Sequence, residues 1–298
     1  MLRFLPGPLR GILGIFFIVV NTLFWGVPVY AAALFKLTLP FRATRQFFDY
    51  ILNWLSYTWM YCNNAFIDLV KRVEYDVAGL EGLELHEWYL VVANHQTWVD
   101  IIALQKVFHG RIPFLKYFLK RQLIWVPILG LAWWALDYPF MKRYSPEFLK
   151  KHPHLRGKDI EATRKACEKF RHKPASIMNF VEGTRFTQAK HAAQGSPYRH
   201  LLKPRSGGIS FVLSAMGDRM RKLIDVTIHY PDGAENTWEF LRSKRTRIIV
   251  RIRVLPIDDA LRNQDPDDPE YRERFNRWLN ELWKEKDREI DRFASSRS

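Results

Sequence analysis

Two short polar clusters, each following an apolar run, hold the residues best suited to chemistry in this 298-residue chain. The first is Asn94-His95-Gln96-Thr97-Trp98-Val99-Asp100, a histidine with a carboxylate five residues on. The second is Phe180-Val181-Glu182-Gly183-Thr184-Arg185, an acid, a glycine and a cation within four consecutive positions. A His and an Asp at this spacing arise by chance in roughly four chains of ten, so their position must carry the argument. His95 falls just past an apolar run at Tyr89 to Ala93, at the strand end where open α/β sheets gather their ligands. Thr97 is the expected cap of a helix starting at Trp98, which puts Asp100 in the first turn with its carboxylate folded back toward the imidazole. That is a general-base dyad, in which Asp fixes the His tautomer and the other ring nitrogen removes a hydroxyl proton. No G-x-S-x-G elbow is present, so the hydroxyl is expected to belong to a substrate.

The elements that must position these clusters follow from periodicity. Tyr89 to Ala93, Ile112 to Lys116, Ser176 to Val181, Leu223 to Tyr230 and Thr246 to Val254 read as strands. Trp98 to Phe108, Leu119 to Trp125, Asp159 to Arg171 and Ile209 to Met216 carry helical spacing. The alternation predicts an α/β sheet domain. In the last strand Ile248, Val250, Ile252 and Val254 alternate with Arg247, Ile249, Arg251 and Arg253, giving one apolar face and one mostly cationic. Asp268-Pro269 reads as the start of a final helix. Its stripe of Phe275, Trp278, Leu279, Leu282 and Trp283 is expected to pack back on the sheet, with membrane contact as the alternative. The expected division is 1–75 for membrane-anchoring helices, 76–260 for the α/β domain, and 261–298 for an amphipathic helix and a disordered tail.

The formal net charge of +15 is concentrated: residues 140–206 carry 16 Lys and Arg against 5 Asp and Glu. Such a stretch attracts phosphate or anionic lipid. Zinc spacings, basic zippers and RNP-like sequences are absent, which argues against nucleic acid. Cys62 and Cys167 fit neither a disulfide framework nor a zinc site, and no H-E-x-x-H or acidic metal cluster occurs. Reduced thiols on the cytoplasmic side are expected. Gly11 to Phe35 holds no charged residue and is long enough to cross a hydrocarbon core, which takes roughly 20 helical residues. Pro28 leaves a second option, a bent hairpin dipping into one leaflet. Phe47 to Val70 reads as a second helix, interfacial or packed on the first, with Phe48, Ile51, Leu55, Trp59, Cys62, Phe66 and Val70 on one side.

Asn94-His95 with Asp100, and Glu182-Gly183-Thr184-Arg185, resemble two blocks of the glycerolipid acyltransferase family that includes 1-acylglycerol-3-phosphate acyltransferases. Between them Lys120, Leu123, Pro127 and Gly130 match its K-x-x-L-x-x-x-P-x-x-G run, and Phe140-Met141-Lys142-Arg143 resembles its F-I-x-R block. A last, proline-containing apolar block is approximated by Val226-Thr227-Ile228-His229-Tyr230-Pro231. Within the family the sequence around Ala135 to Ser145 is most like a bacterial inner-membrane subgroup related to lysocardiolipin acyltransferases. Three positions depart: Asp137 stands where a glycine is usual, Gln122 where Glu is common, and the last block lacks its early proline.

The resemblance implies an acyltransferase-type mixed sheet flanked by helices, with an N-terminal membrane-associated helical segment. It implies transfer of a fatty acyl group from acyl-CoA or acyl carrier protein to the free hydroxyl of a lysophospholipid, most readily 1-acylglycerol-3-phosphate. No cofactor is implied. His95 and Asp100 would be catalytic; Asn94, Lys120, Arg143, Glu182, Gly183, Thr184 and Arg185 would bind substrate. Arg143 and Arg185 suit the acceptor phosphate, Glu182 a glycerol hydroxyl or Arg185, and Lys120 or nearby amides the oxyanion. The implied partner surface is an anionic membrane, with the site facing the cytoplasm from a bacterial inner membrane. Lysocardiolipin, lysophosphatidylglycerol, a non-catalytic lipid-binding module and a metal-free hydrolase stand as alternatives. Lys203-Pro204-Arg205-Ser206-Gly207-Gly208 opens a helix and reads either as an anion site or as an ordinary basic loop. Trp125, Trp133 and Trp134 read as core by default.

Overall fold

The computed structural model describes residues 2–39, 41–141, 167–168, 170, 173–262 and 264–295, with only the backbone of Arg42, Lys120 and Met141. The chain divides into two compact units, residues 1–73, 118–159 and 237–246 in one, and 74–117, 160–236 and 247–298 in the other.

The first unit is built on two long helices, α1 (Gly7–Thr38) and α2 (Arg42–Val70). The uncharged run is one continuous helix through Pro28, not a bent hairpin. At 1.5 Å per residue it extends about 48 Å, and it is long and apolar enough to cross a membrane. Its polar side chains turn inward: Asn21 donates to the Trp59 carbonyl and to Asn63 Oδ1, both at 3.0 Å, and Trp59 Nε1 donates to Thr22 Oγ1. Phe17 stacks on Phe66 and Phe35 on Phe48, so the helices run antiparallel. Phe16, Leu23, Phe24 and Val27 point outward and are exposed. A polar seam with an apolar exterior is the inverse of a water-soluble helix pair and suits a lipid surround. The buried stripe of α2 is Leu52, Leu55, Met60, Ile67 and Val70, rotated from the expected one and sharing Leu55 and Val70 with it.

Leu119 to Trp125 is not one α-helix. Leu119–Lys120 forms a short strand (β4) paired in parallel with β5 (Phe140–Met141), followed by a 3-10 turn over Arg121–Trp125. Those backbone groups bond across the chain instead of along it, and Pro127 supplies no amide to extend a helix. A short helix, α4 (Leu129–Ala135), follows. Gly130 is there because a Cβ would lie 2.1 Å from the Ile124 carbonyl oxygen. Asp137 takes φ 60°, a left-handed conformation that explains why glycine suits the position. Asp137 is held by Lys36 Nζ at 2.9 Å, and Asp49 accepts the same ammonium at 2.7 Å. Trp125 is 86% exposed and Trp134 40%, so neither is core.

The second unit carries a six-stranded mixed sheet in the order β1-β8-β7-β2-β6-β3. Its strands are β1 (Arg72–Ala78), β2 (Tyr89–Ala93), β3 (Leu115–Tyr117), β6 (Ser176–Phe180), β7 (Lys222–His229) and β8 (Arg245–Pro256). Strand β1 lay outside the sequence expectation. All five residues of β2 are buried, as an unbroken apolar run requires when both neighbours are strands and both faces are covered. Both neighbours, β6 and β7, run parallel to β2, while β8 returns antiparallel to β7. Two arginines on the cationic face of β8 are paired: Arg251 meets Asp76 at 2.9 Å and Arg253 meets Asp225 at 2.6 Å. The helices of this unit are α3 (Val99–Phe108), α5 (Gln188–Gln194), α6 (Gly207–Met216) and α8 (Pro269–Ser295); α7 (Thr237–Arg242) belongs to the first unit. As expected, α8 packs back on the sheet, burying Phe275, Leu279, Leu282, Trp283 and Ile290 and contacting β7. The expected helix Asp159 to Arg171 lies largely outside the described residues, as does the Ser296–Ser298 tail.

Candidate active site

Register brings the distant clusters together. Ala93 at the end of β2 pairs with Phe180 on β6 and with Val226 on β7, all three strands pointing the same way. The segments just beyond, 94–100, 181–186 and 228–231, must therefore emerge at one sheet edge. This is the C-terminal edge of the parallel strands, where α/β sheets leave room for ligands.

His95 Nδ1 lies 2.8 Å from Asp100 Oδ2. A carboxylate can only accept, so Nδ1 carries the proton and Nε2 presents its lone pair. The imidazole stacks on Phe180 with centroids 3.9 Å apart, which fixes the plane of the ring. Asp100 is fully buried and its charge is held by four donors. Oδ2 also accepts from the Gln96 amide at 2.7 Å and the Thr97 amide at 3.0 Å, and Oδ1 accepts from Tyr230 Oη at 2.6 Å. Its place in the first turn of α3 adds the favourable end of the helix dipole. The helix starts at Val99, one residue later than expected; the Thr97 hydroxyl donates to the Glu235 carbonyl and accepts from the Val99 amide at 3.5 Å. Burial, helped by the adjacent Asp100 charge, pushes the Tyr230 hydroxyl well above its usual range, so it remains a donor.

Asn94 is fully buried, its carboxamide donating to the Ile228 carbonyl at 2.9 Å and accepting from the Ile228 amide at 2.8 Å. It extends the β2–β7 pairing by one side chain, its carboxamide occupied by backbone. Glu182, also fully buried, does not hold Arg185. It accepts from the His95 amide and the Leu202 amide, each at 3.2 Å, tying three loops together. Burial raises its carboxyl to about 8, against the pull of those two amides. Gly183 adopts φ +71°, the left-handed turn a side chain resists, and the Phe186 amide donates to the His95 carbonyl at 2.7 Å. Thr184 Oγ1 accepts from Lys190 Nζ at 2.8 Å. Arg185 is exposed and lies over the Trp98 ring at 5.0 Å. The backbone of Lys120 lies in β4 of the first unit; its side chain and the whole of Arg143 lie outside the described residues.

Tyr230 is the residue that sequence reading missed. Its only signal was its place beside Pro231 in the approximated last block, and nothing there distinguished it from an ordinary core tyrosine.

A family model described as Acyltransferase matches residues 74–230, so the chain belongs to the acyltransferase family. It is 25% identical over 211 residues to 1-acyl-sn-glycerol-3-phosphate acyltransferase delta of Mus musculus, covering 66% of this chain and 51% of that protein. The gamma protein of Mus musculus is 25% identical over 212 residues, covering 67% of this chain and 52% of its own length. The chain thus spans about half the length of these relatives. In fold it is similar to the crystal structure of the 1-acyl-sn-glycerophosphate acyltransferase PlsC from Thermotoga maritima. That likeness has a TM-score of 0.51 and 17% identity, covering 92% of this chain and 95% of that one.

Proposed function

We propose that this protein transfers an acyl group from a thioester donor to the free hydroxyl of a lysophospholipid, with 1-acylglycerol-3-phosphate as acceptor and phosphatidate as product. The observation that carries the reading is the dyad: His95 protonated on Nδ1 by its bond to Asp100, with Nε2 left to face a substrate. Nε2 takes the proton of the acceptor hydroxyl as the oxygen attacks the thioester carbonyl. The resulting imidazolium is balanced by the Asp100 carboxylate, which four donors hold in place. Collapse of the tetrahedral intermediate breaks the carbon–sulfur bond, and the thiolate leaves with the proton from His95. Neither an acyl-enzyme nor a cofactor enters this path. Arg185, stacked on Trp98 and exposed, suits the acceptor phosphate.

The reading extends to the donor, coenzyme A or acyl carrier protein, and to location. An apolar helix able to cross a membrane supports attachment to a bilayer, where the acceptor already resides. A bacterial inner membrane with the site facing the cytoplasm would meet soluble donors, and the net charge of +15 would favour anionic lipid. Detergent-solubilised protein given acyl-CoA and lysophosphatidate is expected to make phosphatidate, and His95→Ala to lose it by about 10³-fold or more. Equal product from the variant would remove the dyad from the mechanism.

A further inference from the structure

We propose that Arg205 is a further headgroup-binding residue, taking the phosphate of the acceptor beside Gly183; this rests on the acyl-transfer reading above. Its side chain lies along the glycine turn: a Cβ at Gly183 would stand 3.3 Å from Arg205 Cδ, 3.5 Å from Nε and 3.6 Å from Nη1. Its amide donates to the Val181 carbonyl at 2.7 Å, so the residue is stitched to the segment that fastens Glu182 to the His95 amide. The guanidinium makes no hydrogen bond or ion pair among the described residues, whereas Arg251 and Arg253 on β8 are both matched by acids.

An exposed arginine on a loop is ordinarily a solvated charge. Here the loop is clamped. Tyr198 Oη donates to Asn280 Oδ1 at 2.8 Å, the Arg199 and His200 amides donate to the Asp287 carboxylate at 2.9 and 2.8 Å, and Trp283 Nε1 donates to the Leu202 carbonyl at 3.1 Å. All three partners, Asn280, Trp283 and Asp287, sit on α8, beyond the residues that the family model matches. From the other side the Leu202 amide is held by Glu182. Beyond it the Lys203 amide donates to Gln194 Oε1 at 3.2 Å and the Arg205 amide to Val181, so the backbone is held up to Arg205 itself, whose side chain lies against Gly183. Arg185 leaves the same turn two residues later, also exposed and without a carboxylate partner among the described residues.

Chemistry selects the acceptor over the donor as the source of the anion. In a 1-acylglycerol-3-phosphate the phosphate sits on the carbon adjacent to the one bearing the reacting hydroxyl. The phosphates of coenzyme A are separated from the thioester sulfur by the whole pantetheine arm. A cation tied to the turn that holds the His95 backbone is therefore within reach of the former.

The test is equilibrium binding of lysophosphatidate and of phosphate-free 1-monoacylglycerol to the detergent-solubilised full chain, alongside steady-state kinetics, for wild type, Arg205→Gln and Arg205→Lys. Arg205→Gln is expected to weaken lysophosphatidate binding and raise its KM roughly 10- to 100-fold, the worth of a charged hydrogen-bonded pair. Monoacylglycerol binding, donor KM and thermal midpoint stay unchanged, and Arg205→Lys recovers part of the loss. A rise in donor KM, an equal loss of binding for both acceptors, or unaltered lysophosphatidate affinity would each overturn the assignment. If wild type binds lysophosphatidate through Arg205 yet forms no diacyl product, the acyl-transfer reading falls while the anion site stands.

Discussion

Glu182 illustrates how one buried carboxyl can serve position more than chemistry. Its oxygens accept the amides of His95 and Leu202, so it fixes the backbone on which the His95 imidazole is mounted. With burial raising its carboxyl from 4.5 to about 8, the folded state binds a proton that the unfolded state releases between those values. Stability from this group is therefore intact at low pH and lost as pH rises toward 8, since the unfolded chain binds fewer protons across that interval. Comparing thermal unfolding of wild type and Glu182→Gln in detergent, the difference in their midpoints should move against wild type between about pH 5 and pH 8.5. A constant difference would mean that Glu182 ionises in the ordinary carboxylate range. The residue was legible in the sequence as part of an acid–glycine–cation cluster. Its partners were not, because both are backbone amides from loops whose approach only the sheet register decides.

At the scale of elements, the C-terminal helix belongs to the site as well as to the core. Trp283 and Lys286 are fully buried beneath it: Lys286 Nζ lies 2.7 Å from Asp225 and donates to the Val226 carbonyl at 2.6 Å. Burial lowers the Lys286 ammonium pKa despite the attraction of Asp225. The next residue, Asp287, accepts the Arg199 and His200 amides and so holds the loop that ends near Arg205. Asp287→Ala leaves two amides without that acceptor, which is expected to cost about 1–3 kcal/mol of stability. It should also raise the acceptor KM several-fold while leaving donor KM unchanged; a stability loss with both KM values intact would restrict α8 to a scaffold role. The sequence disclosed this helix and its apolar stripe by spacing alone. That its polar residues grip the loop at 198–202 could not be read, since Asp287 and Asn280 look like any solvated face. The partial miss at Leu119 to Trp125 has the opposite cause: Arg121–Trp125 does turn as a 3-10 helix, but tertiary pairing of β4 with β5 took the backbone groups of Leu119–Lys120 that an α-helix would have used.

For the whole molecule, two attractions to a bilayer compete for credit, the charge of +15 and the apolar α1. They separate by salt. At about 1 M salt the Debye length is about 3 Å, so purely electrostatic attachment should fail. Membranes carrying the protein are expected to retain it through that wash and through alkaline carbonate, yielding it only to detergent. Release by salt alone would demote α1 to a packed helix of the first unit. Its exposed Phe16, Leu23, Phe24 and Val27 and its inward-facing Asn21 favour retention.

By itself the sequence marked two candidate clusters, 94–100 and 182–185, and most of the strands and helices around them. The clusters at 94–100 and 182–185 announce themselves through residue type, and the strand and helix periods through burial, both properties of local composition. Tertiary structure decided what those residues do to one another. Glu182 turns to backbone instead of Arg185, Tyr230 closes the cage around Asp100, Asn94 becomes a tether, and Asp137 stands in for a glycine by pairing with Lys36. Each outcome rests on a contact between segments tens to more than a hundred residues apart. Such contacts follow from strand order and register, which a one-dimensional pattern of polar and apolar residues does not encode.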